Sequence, residues 1–241
     1  MPRSVWGIGR RAVARAVLAL FIGALVVLSA APVLADDTVE ARQLVEKAEM
    51  MLERFAKDPE MGGFRDVIKT AKAVLLIPQV LRAGFIFGGS GGTGLLLARH
   101  QETGTWRGPV FYTLGNVSFG LQIGLDASEV AILAHTEKGL KQMFSDTVKL
   151  GADASVAAGP VGVGAQAATA ALSADLVAFT RAQGLYAGIS VDGGLISVRE
   201  KMTTAYYGMP AKPVDILVHG TLTNPQAAAL LRTVERVAKG E

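Results

Sequence analysis

Three basic residues, Lys69, Lys72 and Arg82, stand just ahead of the glycine-rich segment Gly88-Gly89-Ser90-Gly91-Gly92. Free backbone N–H groups in a glycine-rich turn can converge on one anion, and neighbouring cations then complete a cradle for phosphate. Lys69 and Lys72 are three residues apart, so a short helix puts them near one face. On this reading Lys69, Lys72, Arg82, Gly88, Gly89, Gly91 and Gly92 hold an anionic head group. The competing reading is an ordinary solvated face, where isolated charges normally sit.

The same glycines match two catalytic or cofactor motifs, and each needs a context that the flanking residues do not supply. Gly89 to Gly94 fits G-x-G-x-x-G, but a dinucleotide site needs a long helix after the loop and an acid about 20 residues on. Here the apolar run after Gly94 stops at Ala98, and the Trp106-Arg107-Gly108-Pro109 break follows. Gly88 to Gly92 also fits G-x-S-x-G, with His135 and His219 downstream. A nucleophile elbow at Ser90 would need a strand, a sharp turn and a helix in succession. A hydrolase using Ser90 is therefore the minor alternative, and Ser90 reads as a turn residue. His100, His135 and His219 are far apart and the chain has no cysteine. No metal site and no cofactor is expected from such a set.

The elements that must position these residues follow from periodicity. Ala41, Leu44, Val45, Ala48, Met51, Leu52 and Phe55 recur at helical spacing, which predicts an amphipathic helix over 37–57. Asp37 and Glu40 fit a capping box at its start. Its apolar stripe is expected to face the core, with insertion of Met51, Leu52 and Phe55 into a membrane interface as the alternative. Asp58-Pro59 ends the helix, and a short second helix runs to about Lys72. Beyond Ala73 twenty glycines fall in the 111 residues from Gly84 to Gly194. That is about 18%, against a background near 7%. Short strands with bends and close backbone contacts suit this texture. The pattern predicts strands near 73–77, 83–88, 93–99, 109–115, 117–125, 128–134, 151–158, 161–170, 185–191 and 193–199. Helices are predicted near 136–145 and 200–208, with a last one from Pro225 to about Lys239, capped by Asn224. The expected class is α+β: a glycine-rich, mainly antiparallel, curved or barrel-like sheet with helices at both ends. Gly84 to Ser90 matches Gly184 to Ser190 at an offset of 100 residues, continuing to Arg99 and Arg199, and Gly120 to Gly124 repeats the Gly-x-x-x-Gly element. A duplicated hairpin would produce such a match.

Residues 1–35 have a different character. Arg3, Arg10, Arg11 and Arg15 precede a charge-free apolar run from Ala16 to Ala31, and Val33-Leu34-Ala35 offers a small-residue cleavage site. This order reads as a secretory signal peptide, leaving 36–241 as a single mature domain, either periplasmic or at the cell envelope. The apolar run is shorter than the roughly 20 residues that span a bilayer. Four of the 24 basic residues and none of the 21 acidic ones lie in this leader, so the remainder carries 20 against 21, a net of −1. That charge offers no global field for nucleic acid, and attraction to anionic lipid has to come from a local patch.

Six ordered blocks carry a resemblance to a known family: Ala73–Pro78, Ala83–Gly89, Trp106–Pro109, Ser118–Gly124, Ala157–Gly162 and Gly184–Gly188, with Tyr206-Tyr207-Gly208 near the end. In these, over roughly residues 38–239, the chain resembles the SYLF family, which includes yeast actin-patch proteins and exported bacterial members. The resemblance implies non-catalytic binding of phosphoinositides or other anionic lipids, with phosphatidylglycerol or cardiolipin as the expected ligands of an exported member. It implies actin binding in some eukaryotic members, a partner not expected here. A protein-binding envelope scaffold or stress protein is the alternative.

Overall fold

In this computed structural model the described residues are 37–84, 87–119, 124–159, 173–182 and 193–241. Helix α1 (Asp37–Lys57) and helix α2 (Gly62–Ile68) lead into strands β1 (Ala73–Gly84), β2 (Phe87–Arg99), β3 (Trp106–Phe119) and β4 (Gly124–Ala134). Helix α3 (Glu137–Met143) and strands β5 (Thr147–Lys149), β6 (Val156–Ala158), β7 (Leu176–Ala182) and β8 (Leu195–Val198) follow. Helices α4 (Glu200–Tyr207), α5 (Pro213–Leu217) and α6 (Ala228–Lys239) close the chain. This is the expected α+β class. The expected leader 1–35 and strands 161–170 and 185–191 lie outside the described residues, as do Gly184 to Ser190 and most of the Gly120 to Gly124 element.

The strands form one sheet in the order β5-β8-β3-β2-β1-β4-β7-β6. All neighbours are antiparallel except β6 and β7. The outermost strands β5 and β6 are separated in sequence by residues 150–155 alone, and Leu150 bridges Ala154 within that link. Six residues reach at most about 21 Å. The sheet is therefore curled until its two edges approach, as a half-barrel. Short edge strands present little unpaired backbone.

Alternation along the strands sorts the core onto two faces. Val74, Leu76, Leu95, Leu97, Phe111, Leu133, Val177 and Phe179 lie in a buried cluster with α1, α2, α4 and α6 on the outer face. Leu75, Ile77, Leu96, Val110, Tyr112, Ile132 and Ile196 fill the inner face with Leu140 and Met143 of α3 and Ile216 and Leu217 of α5. Two buried faces explain the near-continuous apolar runs of β1 and β4. The seven apolar stripe residues of α1 are all buried, so the helix packs on the core.

Two local expectations change. The strand expected over 73–77 continues through Pro78 to Gly84 as β1. Proline cannot donate to a ladder in an interior strand. The chain accommodates it with a bulge: the register shifts between Leu76 and Gln79 against β2, and between Ile77 and Val80 against β4. Added Cβ atoms at Gly92 and Gly94 would collide with the Gln79 carbonyl and with Leu76 and Ile77 across this bulge, so these two glycines are close-approach residues. Gly88 to Gly92 form no turn either. They lie within β2, paired to β1 on one side and β3 on the other, so their N–H groups belong to the sheet.

Candidate functional site

The three cations picked from the sequence do not converge. Lys72 sits at the base of β1, where its N–H donates to the Ala134 carbonyl. Arg82 lies near the other end, opposite Ser90 and Asp126. Ten strand residues separate them, about 33 Å at ~3.3 Å per residue. Lys69 pairs with Asp66 at 2.9 Å and Lys72 with Glu137 at 2.6 Å. Arg99 belongs to the same junction: it donates to the Lys69 carbonyl at 2.8 Å and stands 5.0 Å from the Trp106 ring centre. The base of the sheet is thus a packing junction, in which Trp106 is buried.

Ser90 sits mid-strand opposite Arg82 and Asn116, not on a strand-to-helix elbow. The turn expected at Ser90 is absent because the glycines around it extend β2. His100 and His135 follow the base ends of β2 and β4, and His219 adjoins Val218, which accepts from Arg107 at the base of β3. Ser90, toward the hairpin end of β2, is therefore far along the sheet from His135 and His219 at its base.

What the fold does bring together is a groove between α1 and the β1 bulge. One lobe, about 260 Å³, is lined by Lys47, Met50 and Arg54 of α1, Pro78 and Gln79 of the bulge, and Glu129 and Arg181 of β4 and β7. The adjoining lobe, about 280 Å³, runs from Gln43, Leu44 and Lys47 over Pro78 and Gln79 to Leu81, Gly91, Gly92 and Thr93. At the bulge Pro78 pairs in neither ladder and Gln79 pairs with Thr93 of β2 but not with β4, and the groove lies beside this interruption. Gln43, Lys47, Met50, Arg54 and Lys57 are all exposed and recur at helical spacing along one side of α1. Glu46, Glu49 and Glu53 flank the side toward α6, where Glu49 meets Thr233 and Glu53 meets Arg236.

Charge in the groove is organised around Glu129. It accepts from Arg54 Nε at 3.0 Å and from Arg181 at 3.4 Å, while Arg181 Nε also donates to Asp58 at 3.0 Å. Burial opposes the Arg181 charge, but Asp58 and Glu129 outweigh it and raise its pKa. Lys47, Arg54 and Arg181 give the first lobe three cations against one carboxylate, Glu129. Lys47 makes no ion pair among the described residues. Asp37 and Glu40, expected as a capping box, both bond Arg199, with Glu40 Oε1 at 2.7 Å. Arg199 also donates to Thr93 at 3.1 Å, which fixes the start of α1 against β2. Sequence reasoning missed Lys47 and Arg54 as site residues. Their spacing on the polar side of α1 was visible, but only the fold shows which wall they face.

The fold is a curled sheet with an amphipathic helix across its outer face and a cation-rimmed groove beside that helix. The family model described as "Ysc84: Las17-binding protein actin regulator" matches residues 115–237. The chain is 32% identical over 200 residues to Protein YSC84 of Saccharomyces cerevisiae, covering 79% of this chain and 42% of that protein. Against LAS seventeen-binding protein 3 of the same yeast it is also 32% identical, over 79% of this chain and 43% of the relative. Against SH3 domain-containing YSC84-like protein 1 of Homo sapiens the identity is 27%, over 79% and 57%. The chain belongs to the Ysc84, or SYLF, family. It spans less than half the length of these yeast relatives.

Proposed function

We propose that this protein binds anionic membrane lipid without catalysis, with the head group at the groove between α1 and the β1 bulge. The observation that carries the reading is the juxtaposition of Lys47 and Arg54 with the exposed apolar side chains of Met50 and Leu81, 52% and 56% accessible. Cation beside exposed apolar surface is what a charged interface of lipid recognises. Export by the 1–35 leader would make phosphatidylglycerol or cardiolipin the available ligand; a secreted species beginning at residue 36, read by intact mass, tests that part. The test of binding is co-sedimentation with vesicles of phosphatidylglycerol in phosphatidylcholine. Changing Lys47 and Arg54 together to Gln is expected to weaken binding about 10- to 30-fold at low salt, at about 1 kcal/mol per cation, and less at high salt. The pair Lys141→Gln and Lys149→Gln on the α3–β5 side is expected to change little. Loss only in a Lys69, Lys72 and Arg82 triple change would return the site to the cluster drawn from sequence. Binding indifferent to phosphatidylglycerol would overturn the reading.

The relatives named for binding Las17 favour a second reading, in which this domain meets a protein. Protein capture by the same groove would survive in the absence of vesicles and be lost in the Lys47 and Arg54 variant.

A further inference from the structure

Glu129 bridges two arginines with its two oxygens. Oε1 accepts from Arg54 Nε at 3.0 Å and also contacts Arg54 Nη2, and Oε2 accepts from Arg181 Nη1 at 3.4 Å. Guanidinium groups spanned by two oxygens of one anion are also the means by which arginines hold a phosphate group. The carboxylate therefore occupies, within the chain, the kind of position that a ligand's phosphate oxygens would take. The two arginines are not held alike. Arg181 also donates its Nε proton to Asp58 at 3.0 Å, and its side chain is 27% accessible. Arg54 pairs with Glu129 alone among the described residues, and its side chain is 44% accessible. Lys47 lines the same lobe and makes no ion pair among the described residues.

We propose that Glu129 is a built-in competitor for the anionic ligand of the groove: a phosphate group entering the first lobe takes Arg54 from Glu129 and shares it with Lys47. Glu129 stays with Arg181. The inference rests on the lipid-binding reading above and names what that site recognises, the phosphate group itself. Glu129 is mostly out of water, and its second arginine lets it give up the first without being left as an unpaired charge. Arg181 and Asp58 keep the turn after α1 tied to β7 in both arrangements, so release of Arg54 needs only one side chain to swing. A ligand has to offer Arg54 what Glu129 already offers, a charged oxygen along the Nε and Nη2 edge, and an uncharged acceptor does not match that. The observed affinity is lowered by the fraction of molecules in which Glu129 holds Arg54.

Glu129→Gln keeps the size of the side chain and removes the competing charge. It is expected to bind phosphatidylglycerol vesicles about 5-fold more tightly than the parent at low salt, about the worth of one freed cation. Glu46→Gln makes the same charge change at an exposed α1 position outside the groove, and is expected to alter binding less than about 2-fold. In a protein already carrying Arg54→Gln, adding Glu129→Gln is expected to bring no gain, because the two side chains act as one pair. Inorganic phosphate titrated calorimetrically against the same proteins separates two sources of the anion. A matching gain there means that the phosphate group alone displaces Glu129; a gain confined to vesicles assigns the displacing phosphate to a lipid head group. If Glu129→Gln disturbs the circular dichroism, Glu129→Asp replaces it: the charge stays, the shorter side chain loosens Arg54, and tighter binding is still expected. Binding by the Glu129 variant no tighter than the parent's, an equal gain in Glu46→Gln, or a gain that persists without Arg54 would each overturn the proposal and leave the groove reading standing. If neither the parent nor the Glu129 variant binds vesicles or phosphate, both readings fall.

Discussion

Arg181 donates its Nε proton to Asp58 at 3.0 Å and so joins the end of β7 to the turn after α1, 123 residues away in the chain. The same guanidinium reaches Glu129 on β4, which also accepts from Arg54 of α1. Two arginines and two carboxylates thereby lock the C-terminal end of α1 over the sheet and set the depth of the groove. Asp58 and Glu129 side chains are each 13% accessible, so their charges rely on these partners.

Removing Arg181 should therefore cost more than a surface pair. Arg181→Met takes the guanidinium away from Asp58 and leaves Glu129 with Arg54 alone, both carboxylates being mostly out of water, and about 1–3 kcal/mol of stability is expected to go, between the surface and buried limits. Lys57→Met, which breaks only the exposed pair with Glu53, is expected to cost under about 0.5 kcal/mol. Urea midpoints of the two variants check the difference; equal midpoints would mean the network adds nothing.

Glycine at 92 and glycine at 115 should behave oppositely. A Cβ at position 92 would overlap the Gln79 carbonyl oxygen, a backbone atom that moves only if the β1 bulge moves. Gly92→Ala is expected to destabilise by about 1–3 kcal/mol, as overpacking does. Gly115→Ala meets open space and is expected to stay within about 0.5 kcal/mol of the parent. Thermal melts of both would show whether glycine is needed at 92 for fit rather than for ligand contact.

The two sides of α1 separate stability from binding. Phe55 is wholly buried, edge-on to Phe64 at 5.2 Å, and Phe64 is edge-on to Phe179 at 5.6 Å. Phe55→Ala is expected to cost about 3–5 kcal/mol. Met50→Ala, on the exposed side, is expected to cost under about 0.5 kcal/mol and to weaken vesicle binding. Urea unfolding and co-sedimentation on the same samples test both; a Met50 variant that unfolds early would place that side chain in the core.

Much of this architecture was written in local periodicity. The helical spacing from Ala41 to Phe55 located α1 and its buried stripe, because one element needs only one face to be specified. Asn224 with Pro225 located the start of the last helix: Asn224 accepts from the Gln226 N–H at 3.0 Å and also donates to the Tyr206 carbonyl. The groove was not legible. It lies beside the bulge that absorbs Pro78, and a bulge depends on the partners on both sides. By composition glycines 88 to 92 fit either a turn or a strand that neighbours approach closely, and only the register, which pairs them with β1 and β3, decides. The separation of Lys69 and Lys72 from Arg82 has the same origin, since a continuous β1 puts its two ends far apart. Asp175 also escaped notice, since its partners come from Thr136, Lys138 and Ser155, which are distant in sequence.

Asp175 gives the sharpest dependence on pH. Its carboxylate accepts from Thr136 Oγ1 at 2.8 Å, Lys138 Nζ at 3.0 Å, and the Ser155 N–H and Oγ at 3.0 and 2.9 Å. Thr136 in turn caps α3, accepting from the Gly139 N–H, so one carboxylate ties the helix start to β7 and to the chain entering β6. Burial disfavours charge on Asp175, but Lys138, Thr136 and Ser155 outweigh it and hold the carboxyl well below its ordinary range. A depressed folded-state pKa means that the stabilisation is complete above the unfolded value near ~4 and is lost as pH falls through the folded one. Asp175→Asn is expected to cost about 2 kcal/mol near neutral pH, through the lost charge-assisted bonds to Lys138 and Ser155. As pH is lowered from about 5 toward about 2, the parent should lose this contribution and the variant should not, so their urea midpoints converge. A constant gap between the two across that range would show that the ionisation of Asp175 is not what stabilises the junction.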